Sequence, residues 1–243
     1  MTPHEIEAAT ALGWPAQDET NIAGWRVFSG LGSVGRVNSC WPLEFDGSNS
    51  EAAIDQVEAH YLAKALRPQF KLIVDGAAPA DLYQLLVRRG YHAASHVAVM
   101  THNRALLPPS HPVLMTPHVT CAFAAMVTQT SPTRSDGQER VDILSRVPNP
   151  SAFGEITIDG ELVAVGLATF TGRSAGIASM RTKPEFRQLG YARSILRAVS
   201  ANARNAGAST LWLQVETDNL VAVGLYQSEG FRVAYHYITM RLG

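Results

Sequence analysis

The stretch Arg187–Leu196, "RQLGYARSIL", follows an apolar run, "AGIASMRT", and opens a helical pattern. Its spacing, R-x-x-G-x-A, falls where a strand hands over to a helix. A loop there presents unpaired backbone N–H groups and the positive end of the helix dipole, which together form an anion site. Gly190 lets the backbone approach a phosphate and adopt φ values barred to other residues. Ala192 keeps the first turn open, and Arg187 adds a charged, forked donor. The cluster suits a pyrophosphate. Taken alone the pattern arises by chance in roughly one chain in a few, so its weight comes from its position.

Working outward, Ala192, Ile195, Leu196, Val199 and Ala203 mark one helical face that Gly207 ends. Upstream, residues 153–158 and 161–170 flank Asp159-Gly160, a hairpin signal, and 175–182 reads as a third strand. Downstream, 211–215 reads as a buried strand, 220–229 as a helix and 231–240 as a strand, an edge able to pair with a second subunit. Monomer and homodimer both stay open. The Pro-rich segment "THNRALLPPSHPVLMTP", 101–117, reads as a linker.

The first half follows the same order: strands in "GWRVFSG" and "GRVNSCWPL", a helix at 51–66, the strand "FKLIV", a helix at 81–89 and a strand at 91–100. Shifting by 140 positions carries Leu85 to Leu225, Gly90 to Gly230, Tyr91 to Phe231, His96 to His236 and Met100 to Met240, a sign of duplication. The central motif does not repeat. Opposite "RQLGYA" stands "GSNSEA", and opposite Tyr226 stands Leu86.

Composition narrows the classes. In 243 residues, 46% hydrophobic and 17% charged is ordinary globular composition, and a net charge of −1 argues against general nucleic-acid binding. Charge is uneven, however: Arg181, Lys183, Arg187, Arg193, Arg197 and Arg204 face only Glu185 in that segment, enough to attract a small polyanion. No run approaches the ~18 apolar residues of a membrane helix. The polar start "MTPHEIEAAT" lacks a signal peptide's apolar core and reads as a capped helix, with Thr2, Pro3 and Glu5 in place. Cys40 and Cys121 have no metal-ligand spacing and are expected as buried small hydrophobes in a reducing cytosol. The histidines show no HxH or HExxH pattern, so no catalytic metal is expected.

About thirty residues after the loop, "NLVAVGLYQSEGF" supplies Asn219, Ala222, Leu225, Tyr226, Gly230 and Phe231. R-x-x-G-x-A followed by N-x-x-A-x-x-L-Y-x-x-x-G-F resembles the GCN5-related N-acetyltransferase (GNAT) superfamily over about 118–243. The first half more loosely resembles the N-terminal half of its tandem members, which has lost cofactor binding. The resemblance implies an α/β chain of two tandem domains, each a mixed, largely antiparallel twisted sheet flanked by helices. The expected division is a degenerate domain at 1–103 serving as scaffold or substrate wall, a linker at 104–117 and an acetyltransferase domain at 118–243. It further implies acetyl-CoA as donor, its pyrophosphate held by Arg187, Gln188, Leu189, Gly190, Tyr191, Ala192 and Arg193. The pantetheine would pair along Met180, Arg181 and Thr182, with Asn219 and Tyr226 near the thioester.

The implied chemistry is direct attack of an amine on the thioester carbonyl. A lysine-like amine is neutral about once in 10³ molecules at pH 7, so deprotonation costs roughly 4 to 5 kcal/mol unless assisted. Tyr226 is the expected acid for the leaving thiolate; as an isolated residue it would read as a packed helix tyrosine. Many relatives carry a glutamate on the strand before the loop, and "AGIASMRT" has none. Glu216 is the expected base, with His236, the more distant Glu155 and a water chain as alternatives. Trp25, Trp41 and Trp212 read as core. Arg36, Asn38 and Ser39 either serve a turn and strand edge or line an acceptor pocket. The expected function is cytoplasmic acetylation of a small-molecule or amino-acid-like amine, without nucleic-acid or membrane partners. The rival readings are a CoA-binding sensor or tether and an acyltransferase acting on a protein amine.

Overall fold

A computed structural model describes residues 1–242. In chain order its elements are α1 (Pro3–Gly13), β1 (Asp18–Ile22), β2 (Trp25–Ser29), β3 (Cys40–Trp41), α2 (Ser50–Ala63), β4 (Gln69–Ile73), α3 (Leu82–Arg88), β5 (Tyr91–His102), β6 (Leu114–Thr116), α4 (Cys121–Gln129), α5 (Arg134–Arg146), β7 (Ser151–Ile158), β8 (Glu161–Thr171), β9 (Ser174–Thr182), α6 (Tyr191–Asn205), β10 (Thr210–Glu216), α7 (Leu220–Ser228) and β11 (Arg232–Leu242). The α/β class and the mixed, largely antiparallel sheet agree with the sequence.

The compact units are not the two consecutive stretches expected. One comprises residues 1–15, 100–215 and 220–233, the other 16–99, 216–219 and 234–242. Two observations explain the difference. The N-terminal helix α1 lies over β8, so close at Gly13 that an added Cβ would overlap the Thr169 hydroxyl. At the other end β11 pairs antiparallel with β4, Tyr237 opposite Ile73 and Met240 opposite Phe70. It lies between β4 and β5, so it is not the edge strand expected.

In the unit that carries the loop, the strand order is β10-β9-β8-β7-β6. The β7–β8 hairpin turns at Asp159 and Gly160, both at positive φ, as an Asp-Gly turn requires. Helix α6 buries Ile195, Leu196, Val199 and Ala203 on one face. It meets the sheet so closely that a Cβ at Gly166 would come within 2.5 Å of Ile195 and Met180. Capping is regular: Thr2 and Glu5 form the reciprocal box on α1, while Thr120 and Thr133 cap α4 and α5.

In the other unit the order is β1-β2-β3-β4-β11-β5. Trp25, Ile54, Val57, Tyr61, Phe70, Leu82, Leu86 and Met240 form its core. The expected strand in "GRVNSCWPL" shrinks to Cys40–Trp41 after a single 3-10 turn. The cause is local hydrogen bonding: the Asn38 carboxamide oxygen accepts from the Gly30 and Gly32 amides at 2.7 and 3.1 Å, and its NH2 donates to Val34. Ser39 donates to Arg36 and accepts from the Trp41 indole. These polar residues therefore build a turn. Lys71 is buried, its ammonium 3.8 Å from the Trp41 ring centroid and 4.3 Å from that of Tyr237. Neither cysteine is bonded to the other; Cys40 is buried as expected, whereas Cys121 is exposed at the first turn of α4.

Candidate active site

The loop between β9 and α6 makes a 3-10 turn at Pro184–Phe186 and then places Gln188 and Gly190 at φ 64° and 85°. Gly190 caps α6 with no side chain at all. Whereas α1, α2, α4 and α5 have a Thr or Asn oxygen on their first amides, the start of α6 carries none. Those donors remain directed outward, the arrangement an anion needs. Arg187 is exposed and donates to the Thr182 carbonyl at 3.4 Å.

The basic count overstates the available charge. Arg197 makes a two-pronged pair with Glu229, 2.8 Å on each prong, and Arg193 reaches both Glu229 and Ser228. Arg204 is spent on carbonyls of His102, Arg104 and Ala208, and Lys183 is paired with Glu161. Of the six residues, Arg187 is the exposed cation on the loop itself.

Strand β9 prepares the ground beside this loop. Its parallel pairing with β10 runs from Ser174–Thr210 to Ile177–Leu213 and goes no further. Beyond that point β9 keeps only β8, through a bulge: Val165 faces Arg181 and Leu167 faces Ala178, leaving Ser179 and Met180 against Gly166. Ser179 sits at φ 52°. The backbone of Met180, Arg181 and Thr182 is thus released from β10. Met180 lies on the α6 side, against Gly166 and Ile195.

Tyr226 of α7 is buried, its ring 6.0 Å from Phe231, and burial pushes its hydroxyl up to about 12 against the opposing pull of Arg181. Arg181 also feels α5, where Asp136 holds Arg140 at 2.7 and 3.2 Å. Burial foremost, then Arg140, pulls the Arg181 guanidinium below its ordinary value, with Asp136 and Tyr226 acting the other way.

The remaining expected residues lie as follows. Glu216 is the exposed last residue of β10, and its carbonyl accepts from the Asn219 amide at 3.1 Å. Asn219 is exposed too, and His236 is exposed on β11. Glu155 is buried and accepts the Thr120 hydroxyl, which also caps α4; its carboxylate is committed to that tie. Among the described residues no three His, Cys, Asp or Glu side chains gather as a metal site would.

The sequence reading missed His111 and Ser110 in the Pro-rich segment. Their side chains and the His111 amide meet the Ser194 hydroxyl of α6, and the His111 ring lies 4.6 Å from Tyr191, edge to face. A buried serine on the apolar face of α6 was the available signal. It also missed the Asp136–Arg140 pair, visible only as an i, i+4 spacing in a helix that had not been singled out.

A glycine-capped helix start at the carboxyl end of a strand, beside a neighbouring strand that peels away, defines the GNAT fold, and the chain is an N-acetyltransferase of that class. It belongs to the family described as "Probable histone acetyltransferase Rv0428c C-terminal", whose model matches residues 4–240. The chain is 24% identical over 236 residues to "Uncharacterized N-acetyltransferase YobR" of Bacillus subtilis, covering 93% of each. It is 28% identical over 80 residues to the "[Ribosomal protein bS18]-alanine N-acetyltransferase" of Escherichia coli, a match spanning 33% of this chain and 54% of that relative. Among solved structures, "GCN5-related N-acetyltransferase from Kribbella flavida" superposes with a TM-score of 0.74 at 18% identity, over 99% of this chain and 96% of that one. No helix among the described residues is long and apolar enough to cross a membrane.

Proposed function

We propose that the protein transfers the acetyl group of acetyl-CoA to a primary amine of a small, amino-acid-like acceptor in the cytoplasm. The observation that carries this reading is the bare N-terminus of α6 at Gly190, set beside the released segment Met180–Thr182. The amides of 188–193 hold the pyrophosphate, and those of Met180 to Thr182 receive the pantetheine and polarise the thioester carbonyl. Acetyl-CoA supplies an activated acyl carbon with a thiolate leaving group. The N–C bond forms as the C–S bond breaks. Of the two protons that the acceptor ammonium loses, one goes to solvent, directly or through Glu216, and one ends on sulfur.

Tyr226 steadies the sulfur that receives the second proton, without giving up its own. A phenol near 12 gives its proton to a thiolate near 8.5 only uphill, by roughly 5 kcal/mol. Its hydroxyl therefore holds the sulfur by a hydrogen bond until the proton leaving nitrogen takes its place. Asn219 is assigned to the donor side of the site. The first half is read as degenerate: where α6 is bare, α2 carries the Asn49 side chain on its Ala52 amide, occupying the place a phosphate would take.

The deciding experiment is calorimetric titration with acetyl-CoA of the wild type and Gly190→Glu. Binding by the wild type and its loss in the variant, in which bulk and charge fill the cradle, is the expected result. Undiminished affinity in Gly190→Glu would remove the loop from pyrophosphate binding. A screen for thiol release with amines follows, and there Glu216→Gln separates the two proton routes: a fall in kcat of tenfold or more assigns the base to Glu216.

A further inference from the structure

We infer that the side chain of Arg181 anchors a carboxylate on the acceptor, so that the protein acetylates free amino-acid-type molecules in preference to peptide N-termini or simple amines. This rests on the acetyl-transfer reading above.

Three arginines have closed ion pairs: Arg89 has Glu51, Asp55 and Glu58; Arg140 has Asp136; Arg197 has Glu229. Arg146 and Arg204 have a buried Nε–H without an acceptor but donate to backbone carbonyls through their Nη1 or Nη2 groups. Arg181 has a buried Nε–H without an acceptor among the described residues and lies on the released segment of β9. A largely buried guanidinium without an anion is costly, because desolvation is unreturned. The nearby carboxylate, Asp136, is already taken in two-pronged fashion by Arg140. The planar fork of Arg181 is left for an anion that arrives from outside, and a carboxylate fits it in bidentate geometry.

Its position gives that anion a purpose. Arg181 follows Met180 in the released segment of β9 and acts electrostatically on Tyr226. A carboxylate held there is carried by the molecule whose amine meets the acyl carbon, which places the two groups a few bonds apart. The groups facing Arg181 are Arg140 and Asp136 from α5 and Tyr226 from α7, so the two cations outnumber the one carboxylate. A bound carboxylate offsets the surplus without acting as a base.

The test compares free amino acids with their carboxamides and with a peptide bearing N-terminal alanine, using the full chain, acetyl-CoA and thiol release. Expected is a kcat/KM at least 50-fold higher for acids than for amides. In Arg181→Met that ratio falls to within about threefold of one, chiefly through KM, and Arg181→Lys restores part of it. Equal or better use of amides or of the peptide by the wild type overturns the inference while leaving acetyl transfer standing. If acetyl-CoA binds but no acceptor turns over, the transfer reading fails. Calorimetry of the CoA-loaded protein then decides the anchor separately: acids binding and amides not supports it, and equal or absent binding refutes it. Parallel loss of acetyl-CoA affinity in Arg181→Met would assign the guanidinium to the donor, which also refutes it.

Discussion

At Tyr226 the sequence named the residue but not its condition. Burial on α7 against Phe231 raises the hydroxyl to about 12, so it stays protonated across the whole working pH range. The sign is direct: a raised phenol pKa keeps the donor form present below that value and removes it only above. The rate therefore rises with pH as the acceptor amine loses its proton, and no descending limb from Tyr226 is expected below about pH 11. A kcat/KM profile in which the wild type falls near pH 9 to 10, and Tyr226→Phe does not, would contradict this. Tyr226→Phe itself should lower kcat about 10²-fold and leave acetyl-CoA affinity within a few-fold. Equal turnover in the variant would take the hydroxyl out of the chemistry. Arg181 shows where sequence reading ran short. Its place on a strand was legible in the sequence, but its Nε–H without an acceptor, and the pull of Asp136 and Arg140 on it, emerge only in the fold. Lys71 shows the same limit: "FKLIV" reads as an apolar strand, and only the folded sheet puts Trp41 and Tyr237 on either side of the ammonium.

At the scale of elements, what was legible followed from periodicity and turn chemistry. The hairpin at Asp159-Gly160, the α6 stripe and the capping box on α1 all appear where local residues dictate them. The strand expected across 35–43 failed because the Asn38 and Ser39 side chains compete for the backbone, an outcome that alternation alone does not encode. The contrast between α2 and α6 is local as well, and it yields a paired prediction. Asn49→Ala removes a cap worth about 1 kcal/mol, which lowers Tm by roughly 2 to 4 °C. Acetyl-CoA affinity should not change. Gly190→Ala strains a left-handed position by roughly 1 to 2 kcal/mol and sets a methyl group 3.5 Å from the His111 ring; relief of that strain turns the loop amides, so affinity should fall at least tenfold for a similar loss of Tm. Comparable loss of affinity in both variants, read by calorimetry beside thermal melts, would mean that the first half also holds donor.

For the whole molecule, the linear order of the chain misleads about which residues fold together. The expected cut at 104–117 treats 118–243 as self-sufficient, yet two of its requirements lie elsewhere. Helix α1 covers β8 at Gly13 and Thr169, and its Thr10 hydroxyl accepts from Gln214 of β10 at 3.1 Å. Without α1, that face of the sheet opens to water. At the other end, 234–242 pairs with β4 and sets Met240 among Phe70, Tyr61 and Leu82, so a fragment lacking β4 carries an unpaired strand and an exposed core residue. A fragment spanning 104–243 should therefore fail to give a cooperative melt and should aggregate through its free strand edge. Deleting 232–243 from the full chain isolates the second requirement: amides of β4, residues 69–73, lose their antiparallel partner and should exchange with solvent orders of magnitude faster. A 104–243 fragment that melts cooperatively, or a truncated chain whose β4 amides stay protected, would restore two consecutive, independently folding domains.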